Sequence, residues 1–136
     1  MLTVTEDTLE KYIDDMAKDV EIDELCVKEV QMKLPALRHK WVGLLMRHKS
    51  TLAHLENRKR NYKKQAMEKM KENSMYNVSD ASLDRMINKQ DSIKELNDQI
   101  KLNTLIVEFL EKSEKIFNSM TFDIKNLVEI IKLETM

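Results

Sequence analysis

This chain reads as an all-α protein: a long antiparallel helical hairpin with a short N-terminal helix and a C-terminal oligomerisation helix. Three observations predict that class. Glycine and proline occur once each in 136 residues, which removes the usual turn-makers of sheets and catalytic loops. Apolar residues recur in steps of three and four over long stretches. One polar segment, "NSMYNVSD" at 73–80, separates the two longest of those stretches and is the best turn candidate. The 42% hydrophobic content is too high for a disordered chain, and the length suits one domain.

The first helix is expected over 1–18, where Leu9, Tyr12, Ile13 and Met16 fall at i, i+3, i+4 and i+7 behind Thr5 as N-cap. "DVEID" at 19–23 alternates apolar and acidic residues and reads as an extended linker, with Asp23 placed to cap the next helix. The second helix is expected over 24–72, its seam running 27, 30, 34, 37, 41, 44, 48, 52, 55. Pro35 lies inside it, and a proline within a helix costs about 3 kcal/mol. Either two helices meet there or one long helix bends; the unbroken phase favours the bend. The third helix is expected over 79–118, capped by Ser79 or Asp80, with heptads at Met86, Ile93, Ile100, Val107 and at Leu96, Asn103, Leu110, Phe117. A last helix over 121–134 follows "NSMT". It carries Ile124, Leu127, Val128 and Ile131 on one face, with Phe122, Ile130 and Leu133 across much of the other. A helix apolar on two sides needs two partners. The second would be another copy, so Phe122, Ile124, Leu127, Val128 and Ile131 are the candidate oligomerisation residues.

Several function classes are disfavoured. Cys26 is the single cysteine, so no internal disulfide forms and a reducing compartment is expected. No apolar run reaches the roughly 18 residues of a membrane span, and the N-terminus lacks a basic-then-apolar signal pattern. His39, His48 and His54 are not spaced i, i+4, and no cysteine or acid cluster completes a metal site. The acids of 14–24 lack the glycine of a calcium loop. There is no phosphate-cradling glycine loop, nucleophile elbow or triad. Neither an enzyme nor a cofactor is expected. Trp41 reads as a core anchor, and the ten methionines as adaptable packing.

Charge is the informative feature. Residues 1–37 hold four cations and ten acids, net −6; residues 38–71 hold eleven and two, net +9; residues 72–136 hold eight and twelve, net −4. "NRKRNYKKQA" at 57–66 packs five cations and Tyr62 together with no acid. A solvated helix face usually pairs Glu with Lys at i, i+4, as Glu108–Lys112 and Glu111–Lys115 would do later in the chain, whereas only Glu56–Arg60 touches this block. Unpaired like charge destabilises a helix, so an external anion is implied. On a helical wheel Tyr62 and Ala66 lie on the seam with Lys59; Lys49, Arg60, Lys64 and Lys71 form one row on the opposite side flanked by Lys63, and Arg58 and Lys69 lie on a third side. Such a row suits the phosphates of a nucleic acid. Tyr62 has two readings, stacking on an unpaired base or packing into the seam, and its seam position favours packing. The segment 56–71 has too few large apolar residues on one face for a membrane-surface helix.

The order and spacing of "DVEID" at 19–23, "KW" at 40–41, the basic helix, and "SMTFDIK" at 119–125 resemble the phage UvsY recombination mediators over roughly 10–134. That resemblance implies DNA recombination, repair and replication in the cytoplasm of an infected bacterial host. The implied protein is a ring-like homo-oligomer, assembled through its C-terminal region, that binds single-stranded DNA. Its implied partners are a UvsX-like recombinase and the single-strand-binding protein that the recombinase replaces. The family's Lys-x-Arg DNA-binding element is matched here by the cluster Arg58-Lys59-Arg60 and Lys63-Lys64 rather than by one residue. The candidate DNA-binding set is thus Arg58, Lys59, Arg60, Lys63, Lys64, Lys49, Lys69 and Lys71. A structural or chaperone-like coiled coil binding an acidic protein partner is the rival reading.

Overall fold

The computed structural model describes residues 4–73 and 78–135. They form four helices, α1 (Glu6–Asp19), α2 (Val27–Asn73), α3 (Asp80–Asn88) and α4 (Asp91–Thr135), with no strand among the described residues. At 1.5 Å per residue α2 and α4 are each about 70 Å long. They run antiparallel, with α1 laid against their middle and α3 against the C-terminal half of α2. The core is one continuous seam in which Leu34, Trp41 and Leu45 of α2 meet Ile106, Leu110, Phe117, Met120 and Ile124 of α4.

Local chemistry explains the first half of the chain. Thr8 Oγ1 accepts from the Thr5 N–H at 3.2 Å at the start of α1. Asp23 Oδ1 accepts from the N–H groups of Leu25 and Cys26, turning the linker into α2. α2 remains one helix through Pro35. The carbonyl that loses its partner there belongs to Gln31, and both residues are exposed, so water can satisfy it.

Two expectations about the second half are corrected. The helix expected over 79–118 breaks at Lys89–Gln90. Ile87 and Ile93 are both fully buried, yet six residues apart on one straight helix they would point about 120° from each other. The break brings both onto the same core and leaves Met86, expected in the heptad, exposed. The Gln90 carbonyl then accepts from the N–H groups of Ile93 and Lys94 to open α4. Conversely, no separate helix begins at 121, because α4 is continuous through "NSMT". Its short polar residues bond back into the helix, Ser113 Oγ to the Phe109 carbonyl and Ser119 Oγ to that of Lys115. Arg38 of α2 also donates to the Phe117 carbonyl at 2.9 Å and to Thr121 Oγ1 at 3.0 Å. Of the expected turn at 73–80, residues 74–77 lie outside the described residues.

A polar chain crosses the apolar seam. His48 and Asn103 are fully buried, with His48 Nδ1 3.1 Å from Asn103 Oδ1 and Tyr12 Oη 2.9 Å from His48 Nε2. Asn103 Nδ2 donates to the Gln99 carbonyl, so its oxygen must accept from His48. That places a proton on His48 Nδ1, while Nε2 and the Tyr12 hydroxyl share the second bond. Burial pushes the Tyr12 hydroxyl above its usual range, so it stays protonated. Gln99 Nε2 donates in turn to the Val4 carbonyl at 3.0 Å, tying the N-terminus to the bundle. Truncating one member strands a buried partner, which costs about 1–3 kcal/mol. Asn103→Ala should lower unfolding free energy by that amount in urea titration. A loss within the noise of the measurement would show that the network does not hold the bundle.

Candidate nucleic-acid interface

The acid-free block lies on α2, beyond the stretch that α1 covers. The helix turns its seam residues toward α3, whose buried Leu83 and Ile87 pack there, and leaves its charged sides to solvent. Ser79 Oγ accepts from the Ser82 N–H and starts α3. This start places Asp80 and Asp84 one helical turn apart beside α2.

Three of the candidate cations meet carboxylates of this chain. Lys63 lies 2.8 Å from Asp84, Lys71 3.0 Å from Asp80 and Lys49 3.2 Å from Glu111 of α4. The partners expected from helical spacing are not the ones used. Glu111 reaches across to Lys49 rather than along its own helix to Lys115, and Arg60 donates to Asn57 Oδ1 at 3.0 Å rather than pairing with Glu56. The hydrogen bond from Lys63 holds the Asp84 carboxyl below its usual range, with Asn88 and the charge of Lys59 adding to the effect.

Among the described residues, Arg58, Lys59, Arg60, Lys64 and Lys69 have no ion pair. Arg58, Arg60, Lys64 and Lys69 are exposed, and Lys59 is half-buried. The N-terminal acids do not neutralise them. Asp19 is occupied with Lys40 and the Trp41 indole N–H, both at 2.9 Å, and Asp23 caps the linker. The structure thus divides the candidate set into three cations matched by the fold and five without an ion pair among the described residues.

Tyr62 is half-buried, and its hydroxyl donates to Gln90 Oε1 at the α3–α4 break. It lines an open groove of about 580 Å³ between α2 and α3. Of the candidate oligomerisation residues, Ile124 is buried in the chain's own core, and Leu127, Val128 and Ile131 pack partly against it. Phe122 is 70% exposed and Leu133 71%, and with the exposed Ile130 they form the outward apolar side of the α4 end.

Sequence spacing did not single out the matching acids Asp80, Asp84 and Glu111, or the joint role of His48 and Asn103. The signal for the latter was present, since both are polar residues at seam positions. No cluster of metal-ligating side chains exists among the described residues, and none of their helices is long and apolar enough to cross a membrane. The charge of Asp23 pushes the Cys26 thiol above its ordinary value, which disfavours the nucleophilic thiolate.

The Lys63–Asp84 pair carries a pH dependence. A depressed carboxylate value contributes stability above the ordinary range, and that contribution is lost as pH falls through the folded value. Amide-exchange protection of α3 should therefore decline as pH drops below about 4, and Asp84→Asn should show a smaller decline. Superimposable pH curves for the two proteins would refute a docking role for the pair.

The fold agrees with comparisons to known proteins. Two crystal structures of the bacteriophage T4 recombination mediator protein UvsY superimpose on this chain at 17% identity. One, in lattice type IV, gives a TM-score of 0.78 over 93% of this chain and 98% of that one. The other, in lattice type II, gives 0.74 over 94% and 98%. A search of curated protein sequences finds no significant match. The family model described as "Recombination, repair and ssDNA binding protein UvsY" matches residues 15–135, nearly the whole chain. This chain belongs to the UvsY family.

Proposed function

We propose that this protein is a non-catalytic recombination mediator that holds single-stranded DNA along α2 and eases a UvsX-like recombinase onto strand covered by single-strand-binding protein. The observation that carries this reading is the set Arg58, Lys59, Arg60, Lys64 and Lys69, left without carboxylate partners on a helix whose neighbouring cations are matched. Each phosphate they neutralise on a single strand contributes a slope of about −0.7 to the dependence of log affinity on log salt. Lys49, Lys63 and Lys71 extend the track where phosphate competes with their acids.

Five unmatched cations make a weak site in one copy. Assembly of a ring-shaped homo-oligomer would multiply avidity by roughly 10²–10⁴ through effective concentration alone. The exposed Phe122 and Leu133 at the end of α4 supply apolar surface for it, continuous with the partly covered Leu127, Val128 and Ile131. A strand laid on such a ring is held extended, in reach of the recombinase, in the setting of DNA recombination, repair and replication inside a bacterial host.

The test is a binding titration with single-stranded DNA, double-stranded DNA and heparin at two salt concentrations, alongside sedimentation. The reading predicts preference for the single strand, with affinity falling as salt rises. It also predicts that Phe122→Ser with Leu133→Ser gives smaller, folded species that bind the strand poorly. Equal affinity for all three polyanions would favour an acidic protein partner instead. An unaltered oligomer in the double variant would remove the α4 end from assembly.

A further inference from the structure

The groove between α2 and α3 is unusual in this chain for what it lacks. The chain carries 24 acids, yet among the described residues no carboxylate lines this cavity of about 580 Å³. Its walls are apolar, with Tyr62, Ala66 and Met70 of α2 facing Leu83 and Met86 of α3. Its polar lining is the amides of Gln65, Asn73 and Gln90 and the cation Lys69. Amides present both donors and acceptors, the complement of a nucleobase edge. A purely apolar segment of another protein would leave those amides unpaired, and a cationic ligand would meet Lys69.

The groove also adjoins the unmatched cations. Residues eleven apart on a helix differ by about 20° in direction, so Arg58 and Lys69 lie on one side of α2. Both lie within about 40° of Tyr62, whereas Arg60 and Lys64 point about 160° from it, on the opposite side of the helix. A strand whose phosphates follow Arg58 and Lys69 presents its bases toward Tyr62. That ring is already held in place, because its hydroxyl is bonded to Gln90 at the break between α3 and α4. Stacking on a pre-positioned aromatic is sequence-tolerant, since every base has a π-face.

We infer that the α2–α3 groove is a nucleobase site, which receives unpaired bases of the strand whose phosphates lie on α2. This rests on the single-strand reading above and deepens it: the groove, and not the basic track, discriminates a single strand from a duplex, whose bases are stacked away.

The wild-type protein decides the matter with two strands of equal length, an oligo-dT and one made of abasic sites, which keep the phosphates and lose the bases. The inference predicts that oligo-dT binds at least tenfold more tightly, the discrimination that one stacked base supplies, while the two salt slopes agree. Ala66→Leu, which fills the groove with a good helix former, should remove that discrimination and leave the slope intact. Equal affinity for both strands would overturn the groove and leave the phosphate track standing. Discrimination undiminished in a folded Ala66→Leu protein would overturn it too. Failure of both strands to bind would overturn the single-strand reading along with it.

Discussion

The contact between His48 and Asn103 sets the alignment on which the rest of this molecule depends. A seam built only of Leu, Ile and Met can slide by a heptad with little change in apolar burial. A buried imidazole facing a buried amide cannot, because any slip leaves two polar groups in the core without partners. Tyr12 on one side and Gln99 on the other extend the constraint to α1 and the N-terminal segment. One polar layer therefore indexes α1, α2 and α4 against each other.

Alignment in turn decides the electrostatics. With His48 opposite Asn103, Lys49 comes beside Glu111, and the chain returning through α3 brings Asp84 and Asp80 to Lys63 and Lys71. Among the described residues Arg58, Arg60 and Lys64 make no ion pair. The basic surface is thus not merely a property of composition; it is what remains once Lys49, Lys63 and Lys71 have met carboxylates of α3 and α4. Exposed ion pairs of this kind contribute little stability. Their consequence here is to shape where an external polyanion finds free charge.

Much of this was legible in the sequence. The scarcity of glycine and proline together with the three-and-four spacing gave the all-α class, and the uneven charge marked α2 as the helix of interest. The break at Lys89–Gln90 was not legible, because Ile87 and Ile93 are each consistent with a helix, and only their burial on one core exposes the phase conflict. Nor was the continuity of α4 through Ser119 and Thr121. Short polar residues signal a turn when exposed, but here Arg38 reaches across from α2 to secure that stretch. The groove was also hidden. Tyr62 looked like a seam residue, which it partly is, and nothing local indicated that α3 would stop short of covering it.

Because the free charge on α2 is a consequence of register, the most direct measurement compares two charge-removal variants. One lacks the unmatched side chains (Arg58→Ala, Arg60→Ala, Lys64→Ala), the other the matched ones (Lys49→Ala, Lys63→Ala, Lys71→Ala). Both lose the same formal charge, and both are titrated with single-stranded DNA across a range of salt. The unmatched set should flatten the salt slope by up to about 2, three phosphates at about 0.7 each, and the matched set by clearly less. Equal flattening, or a larger effect from the matched set, would contradict the claim that the fold selects which cations are left for the strand.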